Sequence, residues 1–180
     1  MFINISITRF HTGDLGRMPS DGFVKVTGRL KEQYKLENGK YVCPTPIEET
    51  ISLSRFVMQV VLCGANRPHN VALVVPDWTA IRTALKVDDS VSDDELVNDE
   101  RVKQLVETDI REQCKNMKKF EVPRDIAFVA PFTAANNMLT PKMSIRRHMV
   151  IREYGDVIAK MYGDEIAKSD SSDRLKEEVA

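Results

Sequence analysis

Residues 57–77 read VMQVVLCGANRPHNVALVVPD and hold two apolar runs, VMQVVLC and VALVVP, on either side of a polar connection. Short runs rich in β-branched residues and bounded by turn residues are typical of strands that are buried in a sheet. A polar connection this short favours antiparallel neighbours. The sequence therefore predicts two adjacent antiparallel strands at the centre of the core.

Two helix starts are predicted directly after this pair of strands. Asp77 is placed to cap a helix over residues 78–85, because a short polar side chain before an apolar run can accept a backbone N–H bond. Ser92 and Glu95 have the spacing of a capping box, in which each side chain bonds the other residue's N–H group.

A longer helix is predicted to begin after Asn98 and to end before Pro123, since proline lacks the N–H donor that a helix needs. Its spacing places apolar side chains on one face. These side chains are Val102, Leu105, Val106, Ile110, Cys114 and Met117.

The remaining elements are shorter. QYKL and KYVC around ENG predict a hairpin, and DIAFVA predicts a strand. A last helix is expected to carry an apolar stripe of Val150, Tyr154, Val157, Ile158 and Met161. This order of strands and helices predicts an α+β domain over residues 30–165, and the charged residues 166–180 are expected to form a flexible tail.

Composition excludes several classes of function. The chain has 180 residues and a net charge of −1, which gives no global electrostatic case for nucleic acid or an anionic membrane. Cys43, Cys63 and Cys114 are too far apart for a disulfide framework or a zinc site, so free thiols in a reducing compartment are expected. No apolar run approaches the ~20 residues that cross a bilayer, so no membrane segment is expected.

Two motifs near the start suggest a common ligand. HTGDLG places Asp14 in a turn between glycines, where a carboxylate can accept two hydrogen bonds from a vicinal diol such as a ribose. TGRLK places Arg29 directly after Gly28, where a forked donor can reach the same sugar or a phosphate. Either the two side chains converge on one ligand, or they are unrelated surface charges.

Three segments of the chain together carry a family resemblance. They are FHTGDLGRM, DGFVKVTGRLKEQYKLENGKYVCPTPIEE and LTPKMSIRR. In order and spacing, the chain resembles the carboxy-terminal part of an adenylate-forming acyl-CoA synthetase of the long-chain fatty acid type. The resemblance implies a small carboxy-terminal α+β domain with an antiparallel sheet flanked by helices. Residues 1–29 would be the tail end of the large adenylation domain, with residues 1–9 atypical, and residues 30–165 would be the mobile domain.

The resemblance implies a two-step reaction. A fatty acid attacks ATP to give an acyl-adenylate and pyrophosphate, and the CoA thiol then displaces AMP. ATP, Mg²⁺ and CoA would be ligands of the full-length enzyme, with the magnesium site outside this chain.

By position in the motifs, the resemblance assigns Asp14 and Arg29 to the ribose and Lys31 to the hinge. Gly39 would line the tunnel for the pantetheine arm of CoA. Lys35 matches a basic residue of the same loop, or it is a solvated strand charge.

The segment LTPKMSIRR raises the question of a catalytic lysine. In the family pattern a lysine that offsets transition-state charge stands where this chain has Ser144, and Lys142 lies two residues earlier. Three interpretations stay open. Lys142 replaces that amine through a register shift of the loop, from ~7 Å away along a strand; adenylation is weak or lost; or another group such as Arg146 compensates or the alignment of the loop is shifted. Arg146 and Arg147 are also candidates for a CoA phosphate.

Two glutamates in PTPIEE, Glu48 and Glu49, match the family pattern as well. We interpret them as carboxylates favoured at a helix start by the helix dipole, rather than as acid–base groups.

The phosphate-binding loop and acyl tunnel of the family's large domain have no counterpart in this sequence. We therefore expect a fragment of a long-chain fatty acid–CoA ligase that is inactive alone and needs the missing large domain. The alternatives are a non-catalytic docking or regulatory module, or a ligase for another carboxylic acid. The full-length protein is expected in the cytoplasm or on the cytosolic face of an organelle membrane.

Overall fold

The computed structural model describes residues 11–88 and 90–164, which form three small sheets and six helices. The strands are β1 (Asp14–Arg17), β2 (Lys25–Arg29), β3 (Tyr34–Lys35), β4 (Tyr41–Val42), β5 (Val57–Cys63), β6 (Val71–Pro76) and β7 (Ile126–Phe128). The helices are α1 (Pro44–Ile51), α2 (Trp78–Leu85), α3 (Asp93–Val97), α4 (Glu100–Gln113), α5 (Arg147–Glu153) and α6 (Gly155–Tyr162). The expectations for residues 1–9 and 166–180 lie outside the described residues.

The central sheet has the order β5–β6–β7. The first two strands are antiparallel, with Leu62 opposite Ala72 in their register, as the sequence predicts. The third strand runs parallel to β6, so the sheet is mixed rather than purely antiparallel. Three helices separate β6 from β7, and a helical connection of this kind is what parallel neighbours require.

Both faces of the central sheet are covered. Ala72 and Val74 of β6 pack with α1, α2 and α4, while Val71, Leu73 and Val75 pack with α5 and α6. All five side chains are at most 1% exposed. Because neither face meets water, the strand lacks the apolar–polar alternation of a half-buried strand.

The helix caps follow the sequence closely. The Asp77 carboxylate accepts the Ala80 N–H at 3.0 Å, and Ser92 and Glu95 form the capping box. The predicted cap of the long helix is wrong by one residue. Asp99 caps α4, because Asn98 already ends α3 through its own backbone N–H bonds.

The end of α4 also differs from the prediction. The helix ends at Gln113 and not at Pro123. From Lys115 onward, N–H groups bond the third preceding carbonyl, as Met117 does with Cys114 at 2.9 Å, so a tight turn replaces the helix.

The predicted last helix is two helices. It breaks at Tyr154, whose N–H bonds Val150 O at 3.0 Å, and it restarts at Gly155, a poor residue for a helix interior. The predicted stripe still faces the core, because Val150 and Ile158 are buried and the other stripe residues pack against them. Among the described residues, no helix is both long and apolar enough to cross a membrane.

The segment before α5 closes as a tight turn. Leu139 and Ile145 form an isolated bridge, Met143 N–H bonds Thr140 O at 2.9 Å, and Thr140 N–H bonds Ser144 O at 2.8 Å. Met143 has a φ of +61°, which places a non-glycine residue in the left-handed region. We call residues 139–145 the basic turn, since Lys142 lies at its tip.

Asn70 is a fully buried polar residue just before β6. Its side-chain oxygen accepts the Tyr34 hydroxyl at 2.8 Å, and its amide donates to the carbonyls of Phe120 and Glu121. Asn70→Ala leaves these three groups without a partner, so we expect the free energy of unfolding to fall by about 2–4 kcal/mol.

Urea denaturation measures the Asn70 effect, with Asn98→Ala as the control. The Asn98 amide also donates to a backbone carbonyl, that of Asp94, but it is exposed, so its loss should cost roughly 0.5 kcal/mol or less. Equal losses in the two variants would contradict the role assigned to Asn70.

Met143→Gly should stabilise the protein. The left-handed conformation costs a residue with a Cβ about 1–2 kcal/mol, and glycine loses roughly 0.5–1 kcal/mol of this gain through its greater freedom when unfolded. We expect a rise in melting temperature for Met143→Gly and a fall for Lys142→Gly, whose φ is not positive. A fall for both variants would show that the turn is not strained at Met143.

Candidate functional site

Asp14 and Arg29 lie directly opposite each other on β1 and β2. The Arg29 Nε is 3.6 Å from the Asp14 Oδ1, and the Arg29 side chain is 74% exposed. The hairpin therefore brings together the two side chains that the sequence singled out, and leaves most of Arg29 and over a third of the Asp14 side chain free to meet a ligand. Their role in binding a ribose stays a prediction.

The pair opens onto a cleft of about 380 Å³ between the β1–β2 hairpin and α1. Glu32, Thr45 and Glu49 complete its polar wall. Three carboxylates and one guanidinium suit a diol, whose hydroxyls donate to carboxylates, better than a phosphate, which the carboxylates would repel. Glu32 and Thr45 were not predicted as part of the site, because nothing in their spacing indicates that α1 packs beside the hairpin.

Gly28 fixes this approach of the hairpin to α1. A Cβ at this position would lie 2.5 Å from the sulfur of Cys43, the residue before α1, and the φ of Gly28 is +150°. A larger residue would require the Cys43 side chain or the hairpin to shift. A glycine before Arg29 is therefore needed for packing.

Lys31, the predicted hinge, lies in a short 3-10 helix, Leu30–Glu32. Leu30 N–H still bonds Gly13 O in the hairpin at 2.8 Å, while Tyr34 already pairs with Val42 in the next sheet. Lys31 thus stands where backbone bonding passes from one sheet to the other. This position suits a hinge, and the hinge assignment remains a prediction.

Gly39 lies in the turn of the β3–β4 hairpin with a φ of +83°. Its N–H bonds Leu36 O at 2.9 Å. A Cβ there would meet only the Lys35 side chain, at 3.7 Å, so the backbone conformation rather than space favours glycine. Lys35 lies 5.9 Å from the Tyr41 ring centre, and whether it binds a ligand or is a solvated charge stays open.

The shape of the basic turn changes where Lys142 lies relative to Ser144, the position at which the family pattern has a lysine. The two residues do not lie along one strand, since Lys142 belongs to the turn and Ser144 to the arm that returns from it. The premise that Lys142 is offset along a strand is therefore wrong, because the chain reverses between the two positions. Both residues are exposed, so either can face a ligand from outside.

Arg147 is not available for a phosphate. Its two terminal nitrogens each donate to one oxygen of Glu48 at 2.6 Å, and Nη1 also donates to Leu62 O at 3.1 Å. Burial lowers the pKa of Arg147, but the hydrogen bonds and the charge of Glu48 raise it by more. The net pKa is therefore raised, and the guanidinium stays protonated. Arg146, at the N-cap of α5, has no side-chain partner among the described residues and remains a candidate.

Glu48 is likewise not a helix-start carboxylate. It is the fifth residue of α1 and is 14% exposed, and its Oε1 also accepts the Leu62 N–H at 2.6 Å. The sequence signal was present in PTPIEE, but nothing in it indicated a partner ninety-nine residues away.

The described residues contain no group of three or more His, Cys, Asp or Glu side chains arranged to hold a metal ion. Burial raises the pKa of the Cys63 thiol to about 12, which favours the protonated thiol over the nucleophilic thiolate at neutral pH.

Comparison with known proteins gives the family. The family model described as AMP-binding enzyme C-terminal domain matches residues 31–166. Fatty acyl-CoA synthetase B of Dictyostelium discoideum is 31% identical over 163 residues, which are 85% of this chain and 24% of that protein. Long-chain-fatty-acid–CoA ligase 5 of Mus musculus is 34% identical over 158 residues, 84% of this chain and 23% of that protein.

A solved structure shares the fold. The A-PCP didomain of carboxylic acid reductase from Segniliparus rugosus, in complex with AMP, superimposes with a TM-score of 0.69 at 26% identity. The match covers 84% of this chain and 20% of that one. This chain thus spans about a quarter of the curated relatives that it matches, and it belongs to the family of AMP-binding enzyme carboxy-terminal domains.

Proposed function

We propose that this chain supplies the mobile carboxy-terminal domain of a long-chain fatty acid–CoA ligase, which uses ATP, Mg²⁺ and CoA. The observation that carries the proposal is the pairing of Asp14 and Arg29 over an open cleft immediately before Lys31. A nucleotide ribose there would contact both sides of the hinge. The name of the Dictyostelium relative supports a fatty acid as the substrate, and the name of the mouse relative supports a long-chain one.

In this proposal each named residue has one task. The Asp14 carboxylate accepts the ribose hydroxyls, and Arg29 adds a forked donor beside them. Rotation about Lys31 brings either the basic turn or the Gly39 hairpin toward the reacting atoms. Arg146 would meet a phosphate of CoA, because its guanidinium has no side-chain partner among the described residues.

An exposed apolar hairpin supports the division into residues 1–29 and 30–165. Met18, Phe23, Val24 and Val26 are each more than 60% exposed on or beside β1 and β2. Several large apolar side chains at this exposure on one short hairpin suit a surface that packs against another protein surface. We assign that surface to a large adenylation domain, which would also hold the acid pocket and the magnesium site.

Ser144 favours a second candidate function. Without a lysine on the return arm, the domain would serve only thioester formation, or it would dock on a partner without any catalysis. We place the full-length protein in the cytoplasm or on the cytosolic face of an organelle membrane, because the wide spacing of its three cysteines in the sequence fits a reducing compartment.

The purified chain is expected to release no pyrophosphate from ATP when long-chain fatty acid is added, because the proposed domain lacks the acid pocket. A coupled pyrophosphate assay measures this. Acid-dependent release of pyrophosphate would contradict the proposal that the acid pocket belongs to the large adenylation domain.

A chimera tests the role of Gly39. Residues 31–166 replace the matching segment of the mouse ligase, and thioester formation is measured from supplied acyl-adenylate and CoA. We expect Gly39→Trp to lower this rate by about a hundredfold or more, since a displaced tunnel wall misplaces the thiol. Gly163→Trp is the control, because Gly163 also has a positive φ and open space but lies at the end of α6. Equal rates of thioester formation in the Gly39→Trp and Gly163→Trp variants would favour the alternative function, a domain that docks on a partner without catalysis.

The same chimera decides the lysine question. If Lys142 supplies the amine, Lys142→Ala should lower acid-dependent pyrophosphate release by about a hundredfold or more, and Ser144→Lys should change it little. If the site is disabled, Ser144→Lys should raise the rate by a similar factor and Lys142→Ala should have no effect. The thioester step serves as the internal control, and no response to either change would leave Arg146 as the compensating group.

A further inference from the structure

The outer edge of β5 is closed by side chains instead of another strand. β5 lies at one end of the sheet order, and Leu62, opposite Ala72, directs its N–H and C=O to that open edge. Glu48 accepts the N–H and Arg147 donates to the C=O, at 2.6 and 3.1 Å. The carboxylate and guanidinium are bonded to each other as well, so together they occupy the place of a neighbouring strand.

We define this group of Glu48, Leu62 and Arg147 as the edge clasp. It joins α1, β5 and the first residue of α5, which are far apart in the sequence. The side chains of Glu48 and Arg147 are 14% and 18% exposed. A buried ion pair contributes little net stability compared with apolar residues of the same size, because both charges lose their water. The clasp therefore fits a role in fixing geometry better than a role in stability.

The basic turn is attached directly to the clasp. Arg147 follows its last residue by two positions, and Arg146 N–H bonds Met138 O at 2.8 Å across the root of the turn. The root is anchored in the core, since Leu139 is 5% exposed, whereas Met143 at the tip is 71% exposed. Fixing Arg147 thus fixes the direction in which the tip projects.

We propose that Glu48 and Arg147 are positioning residues, which hold the basic turn at a fixed angle to the central sheet. Neither touches the reacting groups in this proposal. Their effect on activity rests on the proposed ligase function, while their effect on the order of the turn does not.

Amide hydrogen exchange on the chain itself tests the ordering. Arg147→Lys keeps the positive charge but loses the fork that bonds both Glu48 oxygens and Leu62 O. We expect exchange in residues 138–146 and at Leu62 to rise about tenfold, while exchange in β6 changes by less than about twofold. Arg111→Lys is the matched control, because Arg111 pairs with Glu107 on the surface of α4.

Two further variants separate positioning from general stability. Glu48→Gln keeps the size of the side chain and should loosen the same residues. The double variant Glu48→Arg with Arg147→Glu keeps the ion pair but sets a donor beside the Leu62 N–H and an acceptor beside the Leu62 C=O, so it should not restore the protection. Equal acceleration in the turn and in β6, or no acceleration in the turn, would overturn the proposal.

The mouse chimera then links position to chemistry. Arg147→Lys should lower kcat for the step that uses the basic turn by about tenfold and leave KM for ATP within about twofold. An inactive unsubstituted chimera would count against the proposed function alone, because the exchange result stands without it. An active chimera whose kcat ignores Arg147→Lys, despite a loosened turn, would overturn the catalytic part of this inference.

Discussion

The pairing of β5 with β6, buried on both faces, is the constraint from which the rest of the fold follows. Each strand presents apolar side chains on both sides, so two layers of helices are required to keep water away. One layer comes from α1, α2 and α4, and the other from α5 and α6. The second layer draws the end of the chain across the sheet and carries the basic turn to its place.

Two polar sites in this core bond backbone groups that would otherwise lack a partner. Asn70 bonds the two carbonyls that follow the end of α4, and the edge clasp bonds the open side of β5. Both sites lie at the margin of the sheet, where strands end and loops begin. The β3–β4 hairpin with Gly39 and the basic turn with Lys142 start near these margins, so buried hydrogen bonds set the direction in which these two exposed turns project.

Local signals in the sequence predicted most elements and few of the contacts between them. The caps at Asp77 and Ser92 were predicted because a cap depends on residues within one helical turn. The break at Tyr154 was missed although Gly155 gives a local signal for it. The parallel pairing of β7 was missed because it depends on where distant segments pack. The same holds for Arg147, which by sequence was one of two arginines in a basic segment and by contact is the partner of Glu48.

The sequence by itself determined the family, the α+β class and the residues to examine, because these depend on motifs and on periods of two and 3.6 residues. Only the tertiary structure decided which of those residues meet. It set Asp14 beside Arg29, turned the chain between Lys142 and Ser144, and removed Arg147 from the set of possible phosphate ligands. These outcomes depend on packing across the sheet, which joins side chains that no local pattern relates.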